Sequence, residues 1–100
     1  MEKKLPNSTK VVVIGGGVVG CSCAYHLAKF GWKDVILLER DKLTSGTTWH
    51  AAGLVSQIGP SAPITKIRKY SLDLYKELEK KVDHSAGLRL NGALSIAQEE

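Results

Sequence analysis

The chain has 100 residues, 43% of them hydrophobic and 24% charged, a balance that suits one small globular core. Its apolar residues are too many and too regularly spaced for disorder, no apolar run approaches the roughly 18 residues of a membrane span, and two cysteines cannot make a disulfide scaffold. The net charge of +4 is mild and spread along the chain, whereas a nucleic-acid reader concentrates basic residues on one face.

Residues 1–9 are polar, contain Pro6, and read as a tail. They hold neither a signal-peptide core nor an Arg-rich presequence, so a cytoplasmic location is expected, or the mitochondrial matrix where a further presequence exists. Lys10-Val-Val-Val-Ile-Gly15 is a continuous β-branched run, which predicts a strand buried on both faces in a parallel sheet. Four glycines, Gly15, Gly16, Gly17 and Gly20, follow within six residues. Val18 to Phe30 predicts a helix ended by Gly31, and Asp34-Val-Ile-Leu-Leu-Glu39 a second buried strand. Together these make a βαβ unit with a right-handed crossover.

Arg40 to Gly53 is rich in Thr, Ser, Gly and Ala, and Leu54 to Pro63 reads as a loop. A second helix is predicted from about Ile64 to Val82, with the stripe Ile64, Ile67, Ser71, Leu74, Leu78 and Val82 facing a core. Glu77 and Lys81 form an exposed pair on it, and Lys66, Arg68 and Lys69 read as a solvated face. Leu88 to Ala97 predicts two strands around Asn91-Gly92, a strong hairpin signal. The expected fold class is α/β: a Rossmann-like dinucleotide-binding βαβ unit followed by a helix and a β-hairpin.

Gly15-x-Gly17-x-x-Gly20 lies after a predicted strand and opens a predicted helix, the context in which this pattern carries meaning. Gly15 allows the tight turn, Gly17 lets the backbone approach a pyrophosphate, and Gly20, with Ala24 beyond it, lets helix and strand lie close. N–H groups near Val18 and Val19 point at the ligand from the positive end of the helix. Glu39 ends the second strand, where a carboxylate accepts from ribose hydroxyls and repels a 2′-phosphate; the adjacent Arg40 weakens that discrimination. The glycine motif does not choose between NAD and FAD, and a turn that binds nothing is the bland alternative.

The segment Thr44-Ser-Gly-Thr-Thr-Trp-His-Ala-Ala-Gly53 reads as a hydroxyl-rich loop entering a short, small-residue helix. It falls at the carboxyl ends of the strands, where doubly wound folds bind ligands. His26, mid-helix, and His84, at a helix end, read as surface or satisfied histidines. Cys21 and Cys23 project to roughly opposite sides of a helix and read as small core residues; no metal site is expected.

Val11-Val-Val-Ile-Gly-Gly-Gly17 through Leu37-Leu-Glu-Arg40, followed by Leu43-Thr-Ser-Gly-Thr-Thr-Trp-His-Ala-Ala-Gly53, resembles the N-terminus of the sarcosine and dimethylglycine dehydrogenases, D-amino-acid-oxidase-like flavoproteins. The similarity runs along the whole chain, and Thr48-Trp-His-Ala-Ala-Gly53 is its specific part. The resemblance implies that His50 attaches covalently to the 8α-methyl carbon of FAD, a reaction open to a neutral imidazole nucleophile. It further implies FAD contacts at Val18, Val19, Glu39, Arg40, Thr44, Ser45, Gly46, Thr47, Thr48, His50, Ala51 and Ala52. Trp49 packs near the flavin or is simply a partly buried aromatic. The implied reaction is hydride transfer from an N-methyl amino acid to flavin. Electrons then pass to an electron-transfer flavoprotein, and tetrahydrofolate can take the one-carbon unit on a C-terminal domain.

No catalytic acid or base is assigned in these residues. A non-catalytic flavin-binding regulatory subunit of a phosphatase and an NAD-linked Rossmann domain are the competing readings. Residues 10–100 are expected to be the N-terminal part of a larger FAD-binding domain whose substrate and folate regions lie elsewhere, inactive when isolated.

Overall fold

A computed structural model describes residues 4–98. The chain divides into two compact units, residues 1–52 and 53–100.

In the first unit, strand β1 (Val11–Ile14), helix α1 (Val18–Lys29) and strand β2 (Val35–Leu38) form the expected βαβ arrangement. The strands pair in parallel with Val11 opposite Val35 and Ile14 opposite Leu38. The ladder continues past β1, because Gly15 N–H donates to the Leu38 carbonyl at 2.8 Å. At the other end, Asp34 holds the chain leading into β1: its carboxylate accepts from the Thr9 hydroxyl at 2.8 Å and from Lys10 N–H at 3.1 Å.

Helix α1 stops where Gly31 adopts φ +88°. Gly31 N–H reaches the Ala28 carbonyl and Trp32 N–H the Leu27 carbonyl, each at 3.0 Å, which is a Schellman motif. The α1 packing on the sheet rests on Gly20. A Cβ built there would lie 1.8 Å from the Gly15 carbonyl oxygen, so the helix approaches the strand as closely as only glycine permits.

Burial on both faces of β1 is not what the structure shows. Val11 and Val13 are half-buried while Val12 is exposed and Ile14 is 85% exposed. This alternation is that of a strand covered on one face. Cys23 is likewise exposed rather than in a core, and only Cys21 is half-buried, its thiol donating to the Gly16 carbonyl. His26 is satisfied as expected, its Nδ1 paired at 2.7 Å with the Ser22 carbonyl one turn back.

The second unit is built on helix α2 (Ala62–Lys81). It starts two residues before the predicted Ile64, with Ser61 as N-cap and Pro63 in the first turn, where a missing N–H costs nothing. The expected apolar stripe is covered only in part: Ile64, Ile67 and Val82 are exposed and Ser71, Leu74 and Leu78 half-buried, while Leu72, off that stripe, is the buried residue. The reason lies in polar side chains at the same spacing. Thr65, Arg68, Leu72 and Glu79 share a face, and three of them hold flanking chain. Gly59 N–H donates to Thr65 Oγ1 at 3.0 Å, Arg68 donates to the Ile58 carbonyl at 2.6 Å and the Ser56 hydroxyl at 3.1 Å, and Glu79 accepts from Ser85 Oγ at 3.2 Å. Arg68 therefore leaves the solvated set it was expected to share with Lys66 and Lys69. The Glu77–Lys81 pair is present, and a second pair joins Lys69 to Asp73 at 2.8 Å, which holds the Asp73 carboxyl below its ordinary pKa.

The β-hairpin is a further correction: among the described residues, 88–98 contain no strand. Gly92 has φ +78° but Asn91 does not enter the left-handed region, so the type I′ turn that an Asn-Gly hairpin needs is not made. Leu94 and Ile96 are 89% and 90% exposed, so nothing buries the apolar face that would repay strand pairing. No helix among the described residues is long and apolar enough to cross a membrane.

Candidate functional site

The site is assembled entirely within the first unit, at the carboxyl ends of β1 and β2. Gly15, at φ +103°, turns the chain out of β1, and Gly17 is the N-cap of α1. Gly17 has no side chain to cap the helix, and the first turn of α1 contains no acidic residue, so its positive end is uncompensated. The turn and helix start open onto a cleft of about 600 Å³, a size suited to a cofactor. Gly15, Gly17, Val18, Val19, Gly20, Thr47, Thr48 and Ala51 line it. Val13, Ile14 and Cys23 line it too, although each reads in sequence as an ordinary core position.

Glu39 is where the sequence placed it, just beyond β2, and it is half-buried. Its Oε2 accepts from Gly16 N–H at 2.7 Å and its Oε1 from Asp41 N–H at 3.0 Å. These two N–H groups, followed by the N–H and guanidinium of Arg40, hold the carboxyl below its ordinary pKa against a desolvation cost. The acid thus binds the glycine turn from below, with lone pairs remaining for further donors.

The loop after β2 folds back over the turn. Thr44 N–H donates to the Gly16 carbonyl at 2.9 Å, and Thr44 itself sits at φ +63°, a left-handed conformation that a β-branched residue seldom adopts. Thr47–His50 form the expected short helix as a single 3-10 turn. Thr48 Oγ1 accepts from Val18 N–H at 2.9 Å, so a hydroxyl from this turn already engages the first amide of α1. Trp49 and His50 are exposed, their ring centroids 4.0 Å apart and the planes tilted by 38°.

His50 Nδ1 lies 3.1 Å from the Gly46 carbonyl. A carbonyl can only accept, so the ring proton belongs on Nδ1 and the neutral imidazole keeps its lone pair on Nε2. Arg40, Ser45 and Ala52 are exposed and, like Glu39, Thr44, Gly46, Trp49 and His50, stand outside the lining of the cleft. Two residues that gained no role from sequence, Gly16 and Leu43, meet here: a Cβ on Gly16 would lie 2.6 Å from Leu43 Cδ2. The signal available for them was an apolar side chain in a polar loop and a glycine at a variable position of the motif.

Residues 10–100 match the family described as DAO, FAD dependent oxidoreductase. Over 96 residues, 96% of the chain, the identity to the mitochondrial dimethylglycine dehydrogenase of Homo sapiens is 45%. It is 46% over 97 residues, again 96% of the chain, to the human mitochondrial sarcosine dehydrogenase. It is 42% over 94 residues, 94% of the chain, to the mitochondrial pyruvate dehydrogenase phosphatase regulatory subunit of Mus musculus. The chain spans 11% of the length of each of these relatives.

Proposed function

Since the chain belongs to the FAD-dependent oxidoreductase family, we propose that it forms the dinucleotide-binding N-terminal part, residues 10–100, of an enzyme that oxidises an N-methyl amino acid and holds its flavin through His50. The observation that carries the reading is the turn that brings His50 and Thr48 together, with Thr48 on the α1 amide that a pyrophosphate would approach.

The residues fit the group. The first turn of α1 holds no acidic residue, Val19 presents an N–H donor there while Thr48 holds that of Val18, and Glu39 stands ready for the ribose hydroxyls. When bound, flavin supplies a two-electron acceptor for hydride from the N-methyl carbon. His50 contributes a nucleophile of defined tautomer, because Gly46 keeps the proton on Nδ1. Attachment would join Nε2 to a flavin methyl carbon, with one methyl hydrogen and the Nδ1 hydrogen lost as protons and the electron pair taken by an acceptor such as dioxygen.

Sarcosine and dimethylglycine are the substrates to try first, by the names of the relatives, with an electron-transfer flavoprotein as acceptor and tetrahydrofolate as the one-carbon acceptor. The similarity to a phosphatase regulatory subunit supports a second reading, a flavin-binding regulator. Reduction of bound flavin by an N-methyl amine separates the two. An NAD-linked domain is disfavoured by the family match. The decisive test is denaturing electrophoresis of the FAD-loaded protein: a yellow, fluorescent band is expected, and His50→Ala should abolish it. A colourless wild-type band removes the covalent claim.

A further inference from the structure

We propose that Gly16, Leu43 and Thr48 act as a positioning latch that sets the register of His50 against the phosphate turn, so that the rate of flavin attachment depends on it more than flavin affinity does. The proposal rests on attachment at His50.

Three contacts between the glycine turn and the loop after β2 carry it, each involving a different part of the loop. First, Leu43 occupies the space a side chain at position 16 would need: a Cβ there would be 2.6 Å from Leu43 Cδ2 and 3.1 Å from both Cβ and Oε2 of Glu39. Second, Thr44 N–H is bonded to the Gly16 carbonyl at 2.9 Å. Third, Thr48 Oγ1 lies over the next glycine, 2.9 Å from where a Gly17 Cβ would stand, and accepts from Val18 N–H at 2.9 Å. Glycines 16 and 17 therefore make room for the protein's own loop as well as for a phosphate.

The loop is held and not merely resting there. Thr44 is kept at φ +63°, a conformation that persists in a β-branched residue only when its surroundings determine it. From Thr48 the path to His50 is short and stiff: both belong to the same 3-10 turn, and that turn is closed on itself by the His50 Nδ1 bond to Gly46. Moving Thr48 moves the imidazole. Attachment requires Nε2 to reach a single carbon of a ring whose pyrophosphate is held at the helix end, and misplacement by about 1 Å can cost a hundredfold in such a step.

The experiment separates binding from attachment in the whole protein. Reversible FAD affinity is measured by fluorescence quenching in a His50→Ala background, and covalent incorporation under air is followed by intact mass with His50 present. Thr48→Val should slow incorporation by roughly tenfold or more beyond whatever it takes from reversible affinity. Thr48→Ser, which keeps the hydroxyl, should restore the rate. Gly16→Ala should slow incorporation as well, and adding Leu43→Ala, which empties the contested space, should recover part of it. Incorporation by Thr48→Val at the wild-type rate overturns the latch while leaving attachment standing. A Thr48→Val loss of reversible affinity equal to its loss of rate also overturns it, because Thr48 would then be a binding residue. A wild type that binds FAD and never couples refutes attachment and the latch together.

Discussion

Gly20→Ala sets two effects of opposite sign against each other. Gly20 lies within α1, where replacing glycine by alanine ordinarily stabilises a helix by about 1 kcal/mol. The structure predicts the reverse. The added Cβ would be 1.8 Å from the Gly15 carbonyl oxygen and 2.9 Å from its carbon, and 3.4 Å from Val13 Cγ1. The first two neighbours are backbone atoms of a turn fixed by the Gly15–Leu38 hydrogen bond, so they cannot rotate away as a side chain would. Relief to even 3.0 Å requires α1 to move 1.2 Å from the strand end, the difference between 3.0 and 1.8 Å. Half of that displacement suffices to break the 2.9 Å bond between Val18 N–H and Thr48. Overpacking of this kind costs about 1–3 kcal/mol, which outweighs the propensity gain. Urea unfolding followed by circular dichroism should show Gly20→Ala less stable than wild type. A Gly20→Ala protein as stable as wild type, or more so, would refute the close-approach argument.

The Glu39 carboxyl should titrate below an ordinary glutamate in a carbon-detected NMR titration, and a value at or above the ordinary one would contradict its bonds to Gly16 and Asp41. Because the folded pKa is depressed, this contribution to stability is complete above the unfolded value and is lost as pH falls through the folded one; Glu39→Gln should show less acid sensitivity in that window. Arg68→Gln should speed amide hydrogen exchange at Gly59, since the side chain secures the Ile58 carbonyl and Ser56, while Lys66→Gln should not. Asp34→Ala removes the acceptor for Thr9 and Lys10 and should cost about 0.5–1.5 kcal/mol by thermal unfolding, with unchanged stability as the refuting result.

The βαβ unit was legible from residues alone because its signals are local. β-Branched runs, a glycine at each backbone special point and an acid at the strand end each constrain their own few residues, and β1, α1 and β2 fall within one residue of their predicted bounds. The Thr44–Ala52 segment stands out in sequence for a different reason: its unusual string of hydroxyls, Trp and His lies inside a stretch that matches a family. What sequence could not reach was anything set by two segments meeting. The hydrophobic pattern left Leu72 off the buried face of α2, because Thr65, Arg68 and Glu79 hold the flanking chain through polar groups that periodicity does not count. Asn91-Gly92 carried a hairpin signal, but strand pairing needs an apolar face to bury, and Leu94 and Ile96 have none. At the site, the left-handed Thr44 and the filling of space at Gly16 by Leu43 exist only because the loop folds back across the glycine turn. Local propensity determined which elements form; contacts between residues 23 to 30 positions apart decided how the glycine turn is held by Glu39 and Thr48.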